Sequence, residues 1–278
     1  MFSAALPAAR LEIHHDFAPR PGICHVVFDF DGTLSWLRHG WPEIMRQLFR
    51  EHLPVRPGES EAAIRELLLG DILSLNGKPS LHQMNRLAER VTERGGHAPD
   101  PGQLLLEYQR RLDAVIEDRS KKILNGPEAQ DEFVVFGARA LLEKLRHRGV
   151  TLHILSGTIE HRVRHEAELL GLASFFGGRI HGSSPDDPHF SKRDVIDRIL
   201  REGKISGDSL LSIGDGPAEM KCTRAVGGLA LAVASDENDN GSGLADPWKR
   251  RHLLEAGAHA LIADYREPDA LLLRIFGS

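Results

Sequence analysis

The sequence predicts an α/β fold, a doubly wound parallel sheet interrupted by an all-helical insertion, and three observations carry that prediction. Apolar runs of strand length occur at Cys24–Phe28, Val150–Leu155, Ser209–Ile213, Leu229–Ala234 and Ala258–Ile262. Helical patterns separate the later runs, and such alternation implies parallel strands with helices on both faces. Between about Trp36 and Gln130, by contrast, the periodicity is helical throughout and no strand pattern occurs.

The elements follow in order. The first strand is Cys24–Phe28, and it ends in Asp29-Phe30-Asp31-Gly32-Thr33. Residues i and i+2 of an extended chain project to one side, so Asp29 and Asp31 can converge on one ligand, and Gly32 permits a sharp turn. Two carboxylates so close repel unless a cation lies between them, and hard oxygen ligands suit Mg²⁺. An Asp-Gly turn after a strand accounts for part of this pattern without any function. The insertion comes next, with helices near Pro42–His52, Glu59–Leu73, Leu81–Arg94 and Pro101–Leu124. Asn125-Gly126-Pro127 reads as its exit, and Ala138–Arg148 as the first helix of the resumed core.

The second core strand runs into Ser156-Gly157-Thr158, where a hydroxyl and a glycine at a strand tip can hold a phosphoryl oxygen. Taken alone, a helix cap explains the hydroxyls equally well. Lys192 falls in the first turn of a predicted helix, where a cation opposes the helix dipole and suggests an anionic partner, although a lone lysine is by default a solvated surface residue. The third strand ends in Gly214-Asp215-Gly216-Pro217-Ala218-Glu219. Pro217 suits a helix start, and Glu219 stands one turn beyond Asp215, so both acids can face one cation or its surroundings.

In doubly wound sheets, ligands bind at the carboxyl ends of the strands, and each of these signals falls at a strand end or a helix start. In their order, Asp29-Phe-Asp31-Gly-Thr, Ser156, Lys192 and Gly214-Asp215-Gly-Pro-Ala-Glu219 resemble the four motifs of the haloacid dehalogenase (HAD) superfamily, phosphatase branch. The match covers residues 23–36 and 132–278. The resemblance implies a Rossmann-like core over 1–36 and 131–278 and a helical cap of the C1 type over 37–130. It implies that Asp29 is the nucleophile and Asp31 the general acid/base, and that Ser156, Gly157 and Lys192 hold the phosphoryl group. Asp29, the Asp31 carbonyl and Asp215 would bind Mg²⁺. Glu219 replaces the aspartate common in the family, so its metal contact is direct or through water. The family's dehalogenases lack the second aspartate and its phosphonate hydrolases replace it, so Asp31 favours phosphate ester chemistry. Arg38, His39 and Trp41 stand where the family's flap begins, and Lys78 lies in a loop between two cap helices; all four are candidate substrate contacts. Trp41 fits a core aromatic at a helix start as well, and Lys78 a solvated turn.

The resulting expectation is a cytoplasmic Mg²⁺-dependent phosphatase acting on a small phosphorylated metabolite such as a phosphosugar. A phosphomutase with the same nucleophile and a non-catalytic phospho-ligand binder are the alternatives. The net charge of −5 and pI near 6.3 disfavour a nucleic-acid partner, and no apolar run spans a bilayer. The two cysteines, Cys24 and Cys222, suggest no disulfide framework and fit a reducing compartment. Met1–Arg10 reads as a ragged terminus rather than a signal peptide. Oligomeric state is not legible.

Other signals are weaker. Gly77-Lys78 lacks the residues of a P-loop, and Asp236–Gly241 opens like a calcium loop but reaches Pro247 where a glutamate is needed. Trp248-Lys249-Arg250-Arg251 reads as a solvated helix face. Most of the fifteen histidines, including His161 and His165, read as surface residues.

Overall fold

The computed structural model describes residues 11–14, 16–76, 79–184, 187 and 190–277. Lys78 and the first ten residues therefore lie outside the described residues. Seven strands form one sheet: β1 (Glu12–Ile13), β2 (His25–Phe28), β3 (Thr151–Ile159), β4 (Ile180–Ser183), β5 (Leu210–Gly214), β6 (Leu229–Val233) and β7 (Ala260–Ile262). Their order is β1-β7-β6-β5-β2-β3-β4, and every pairing is parallel except β1 with β7. From β2 the chain builds outward first through β3 and β4, then on the other side through β5, β6 and β7. The strand order thus reverses around β2, where such sheets open a ligand crevice. Phe28 lies opposite both Ile154 and Ile213, so β2 and β5 end close to one level, while β3 runs on past them to Ile159.

The helices are α1 (Trp41–His52), α2 (Glu61–Ser74), α3 (Leu81–Glu93), α4 (Pro101–Asn125), α5 (Ala138–His147), α6 (Glu160–Leu169), α7 (Ala173–Phe176), α8 (Lys192–Gly203), α9 (Pro217–Ala225), α10 (Pro247–Glu255) and α11 (Pro268–Phe276). Val26, Phe28, Leu152, Ile154, Leu211 and Ile213 are all buried in the core between sheet and helices. Strands covered on both faces read as continuous apolar runs, which explains why these were visible in the sequence.

The chain divides into two compact units, Met1–Leu37 with Lys122–Ser278, and Arg38–Lys121. The second is helical and closes its own core. Met45, Leu48 and Phe49 of α1, Ile64, Leu68 and Ile72 of α2, Met84, Leu87 and Val91 of α3, and Leu104, Tyr108 and Leu112 of α4 repeat at three- and four-residue spacing and are buried together. Each such side chain contributes about 1.5–3 kcal/mol on burial. The segment after α4 belongs to the sheet unit: a 3-10 turn spans Pro127–Phe133, and Ile123, Ala129 and Phe133 join the sheet core.

Candidate active site

β2 delivers Asp29 to the crevice. Its N–H donates to the Ile213 carbonyl at 2.9 Å, extending the ladder with β5 by one residue. Oδ1 accepts the Phe30 N–H at 2.7 Å, and Oδ2 accepts Lys192 Nζ at 2.9 Å. Lys192 is the first residue of α8, where Ser191 caps the helix by accepting the Arg193 N–H at 3.2 Å. The same ammonium donates to Glu219 Oε1, in the first turn of α9. Three elements thus bring together an acid, a cation and an acid.

Asp215 follows β5 and has its own cation. Lys249 Nζ, from α10, lies 3.0 Å from Asp215 Oδ2 and 2.5 Å from Glu237 Oε1, and donates to Ser235 Oγ at 3.1 Å. The Ser235 hydroxyl in turn donates to the Gly32 carbonyl at 2.9 Å. Gly32 has φ of +74°, and a Cβ there would stand 2.2 Å from Asp215 Oδ2. Conformation and close approach both require glycine at this turn.

Asp31 is tied to the tip of β3. Its Oδ2 accepts the Thr158 hydroxyl at 2.8 Å, while the Thr158 N–H donates to Ser156 Oγ at 3.0 Å. Ser156 is buried and Gly157 is exposed, with nothing within 4 Å of where its Cβ would be. Tyr265, fully buried, donates its hydroxyl to the Thr33 carbonyl at 3.0 Å and braces the same loop.

These charges perturb one another. Burial pushes the Asp29 carboxyl well above the usual carboxylate range; Lys192 opposes that shift, and the negative charges of Glu219 and Asp215 add to it. Burial likewise raises Asp215 against the pull of Lys249. Burial works against the charge of Lys192 too, but Asp29 and Glu219 outweigh it and hold the ammonium protonated.

The site fits a hard divalent cation in its donor set. The charges of Glu219 and Asp215 raise the Asp29 carboxyl and that of Glu219 raises Asp215, and Glu219 Oε2 is buried with no hydrogen-bond partner. An unpartnered buried carboxylate oxygen is costly, and a dication relieves both that cost and the mutual repulsion. Among the described residues, no group of three or more His, Cys, Asp or Glu side chains is arranged to hold a metal ion. The lysines instead occupy one oxygen each of Asp29, Glu219 and Asp215.

Comparisons with known proteins place the fold and the family. The family description of haloacid dehalogenase-like hydrolases matches residues 26–224. The chain belongs to that family. Several solved structures share the fold. A conserved haloacid dehalogenase-like protein of unknown function from Agrobacterium tumefaciens is 17% identical with a TM-score of 0.62, covering 90% of this chain and 97% of the other. A protein from Haemophilus somnus, described as a predicted phosphoglycolate phosphatase, is 12% identical with a TM-score of 0.59 over 90% and 97%. A HAD family hydrolase from Deinococcus radiodurans, solved with bound phosphate and sodium, is 16% identical with a TM-score of 0.60 over 91% and 96%. No curated protein matches.

In this HAD-family chain the residues expected from the sequence fall into two groups. Asp29, Asp31, Ser156, Gly157, Lys192, Asp215 and Glu219 all lie in the sheet unit. Asp29, Asp31, Asp215, Lys192 and Glu219 stand just past strand ends or at helix starts, and Ser156 and Gly157 lie within β3, which runs on beyond the expected Leu155 to Ile159. Arg38, His39 and Trp41 belong to the helical unit. There Trp41 begins α1 and packs against the apolar core, and Arg119 donates to the His39 carbonyl at 3.1 Å.

The reading of Trp248–Arg251 as a solvated face is corrected: Lys249 is 4% exposed and pairs with Asp215. A signal was present, because Lys249, Leu253 and Ala256 recur at i, i+4 and i+7 and are buried together on one face of α10. The reading of most histidines as surface residues holds among the described residues, His161 and His165 included. The exceptions are buried His153 and His259, and His25, His153 and His181 form a stacked row across β2, β3 and β4. Asp236–Gly241 is a polar loop, as expected.

Proposed function

We propose that this HAD-family chain is a Mg²⁺-dependent phosphatase that hydrolyses a small phosphorylated metabolite, a phosphosugar or similar polyol phosphate, through an aspartyl-phosphate on Asp29. The observation that carries the reading is the contact of Lys192 with both Asp29 and Glu219, which sets a fixed cation beside a carboxylate nucleophile. Asp29 attacks phosphorus as the ester P–O bond breaks, and Asp31 gives its proton to the departing alkoxide. Water then attacks the phosphorus, Asp31 accepts its proton, and the bond to Asp29 breaks to release phosphate. Ser156, the backbone at Gly157, and Lys192 orient and neutralise the phosphoryl oxygens. Asp29, Asp31 and Asp215, with Glu219 beside them, would hold Mg²⁺, which when bound supplies charge neutralisation at the phosphoryl group. Thr158, donating to Asp31, supports the acid/base orientation.

The helical unit is the candidate C1 cap that selects substrate, with Arg38, His39, Trp41 and Lys78 as contacts to be tested. Free Cys24 and Cys222 support a reducing cytoplasm, and no helix among the described residues is long and apolar enough to cross a membrane. The test is phosphate release from a panel of phosphorylated metabolites with Mg²⁺ or EDTA, alongside Asp29→Asn. Mg²⁺-dependent release from a narrow group, absent in the variant, supports the proposal. Phosphoryl transfer back to substrate without release would make it a mutase, and no reaction with any substrate would favour a ligand-binding role.

A further inference from the structure

The proposed mechanism uses one buried lysine, Lys192, and leaves a second unassigned. Lys249 directs its ammonium to three acceptors, Asp215, Glu237 and Ser235, which matches the three N–H bonds an ammonium can donate. Those acceptors connect separate segments: Asp215 ends β5, Ser235 and Glu237 follow β6, and Ser235 reaches the Gly32 carbonyl in the loop between Asp31 and Thr33. A buried ion pair is weak as a stabilising device, since well-packed apolar residues serve as well or better. Its placement on a carboxylate expected to bind the cation calls for another explanation.

We infer that Lys249 is a positioning residue for the metal site: it holds Asp215 by Oδ2, leaving Oδ1, which accepts the Thr33 hydroxyl at 3.4 Å, as the oxygen for the cation, and through Ser235 it fixes the Gly32 carbonyl in the loop that carries Asp31. The inference rests on the reading of Asp215 as a cation ligand. Partners that orient metal ligands typically change metal affinity by about 10–100-fold when removed. Lys249 also repels a nearby cation, so positioning and repulsion predict opposite signs. Positioning dominates if a freed Asp215 swings toward solvent or its neighbours.

The experiment is calorimetric titration of the full chain with Mg²⁺ alone, together with melting curves with and without Mg²⁺, for wild type, Lys249→Met and Ser235→Ala. The expected result is a dissociation constant raised about tenfold or more in Lys249→Met and about threefold in Ser235→Ala, with a smaller Mg²⁺-induced rise in Tm. A purely structural lysine would lower Tm equally with and without Mg²⁺ and leave the dissociation constant unchanged. An unchanged or tighter dissociation constant in folded Lys249→Met overturns the inference while leaving the phosphatase reading intact. If Lys249→Met does not fold, Ser235→Ala decides by the same criterion. Absence of Mg²⁺ binding in wild type removes the inference and the metal-dependent reading together.

Discussion

The two units differ in how they handle charge. In the helical unit, pairs such as Arg50–Glu61, Arg65–Glu43 and Arg111–Glu51 leave the carboxylates 70, 35 and 52% exposed around an apolar core, and its more buried acid, Asp71, is 13% exposed and held by two arginines, Arg86 and Arg90. At the strand ends of the sheet unit, Asp29, Lys192 and Glu219 are only 11, 15 and 8% exposed, and Asp215 and Lys249 14 and 5%. Exposed pairs add little to stability and cost little to make, whereas buried charges are stable only while every partner is present. A fold gains nothing by concentrating such groups in one crevice. The concentration therefore points to chemistry rather than to stability.

The largest expected effect is on turnover. Asp29→Asn should reduce phosphate release by about 10⁴-fold or more while the protein stays folded, because the nucleophile is lost without a change of shape; circular dichroism with the release assay checks both halves. Wild-type turnover in that variant would remove the contrast between the regions. Next, Lys192→Met leaves Asp29 and Glu219 without their shared cation and should destabilise the fold by about 3–5 kcal/mol in urea titration.

Much of this contrast was legible beforehand, and the gaps have physical causes. Asp29, Asp215 and Lys192 stood out because apolar runs or helix starts ended in groups that pay a desolvation penalty there. The strand β4 did not, since Ile-His-Gly-Ser has one large apolar residue and owes its state to pairing with β3. The strand β1 has two residues at the sheet edge and no pattern of its own. Lys249 was hidden among neighbouring basic residues, which on a helix point about 100° apart, so that Arg250 reaches Glu12 at 2.5 Å while Lys249 turns inward. The hydrogen bonds of Thr158 and Ser235 depend on tertiary approach, which spacing does not encode.

Smaller effects sharpen the comparison. In the helical unit, Leu68→Ala should cost about 2–5 kcal/mol through a cavity, whereas Glu43→Gln, at a partly exposed pair with Arg46 and Arg65, should change stability by no more than about 1 kcal/mol. Equal costs for Glu43→Gln and Lys192→Met would contradict the proposed difference.

The stacked histidines give a pH test. Burial, with His25 and His181 beside it, lowers His153 to about 3, and burial also lowers His25 and His181. Their folded pKa values lie below the unfolded value near 6.5, so the unfolded chain binds more protons as the pH falls from about 6.5 toward 3. Stability present above pH 6.5 should be lost through that window, by at most about 1.4 kcal/mol per pH unit for His153, with His25 and His181 adding in the same direction. Urea titrations of wild type and His153→Gln at pH 7 and pH 5 should show a shallower decline in the variant.

The central claim, that Asp29 carries the phosphoryl group, is tested most directly by trapping it. Asp31→Asn, mixed with a substrate found in the release assay and Mg²⁺ and then acid-quenched, should yield a peptide containing Asp29 that bears one phosphate by mass spectrometry. Phosphate on a different residue, or substrate turned over with no phosphorylated peptide at any time point, would contradict the account.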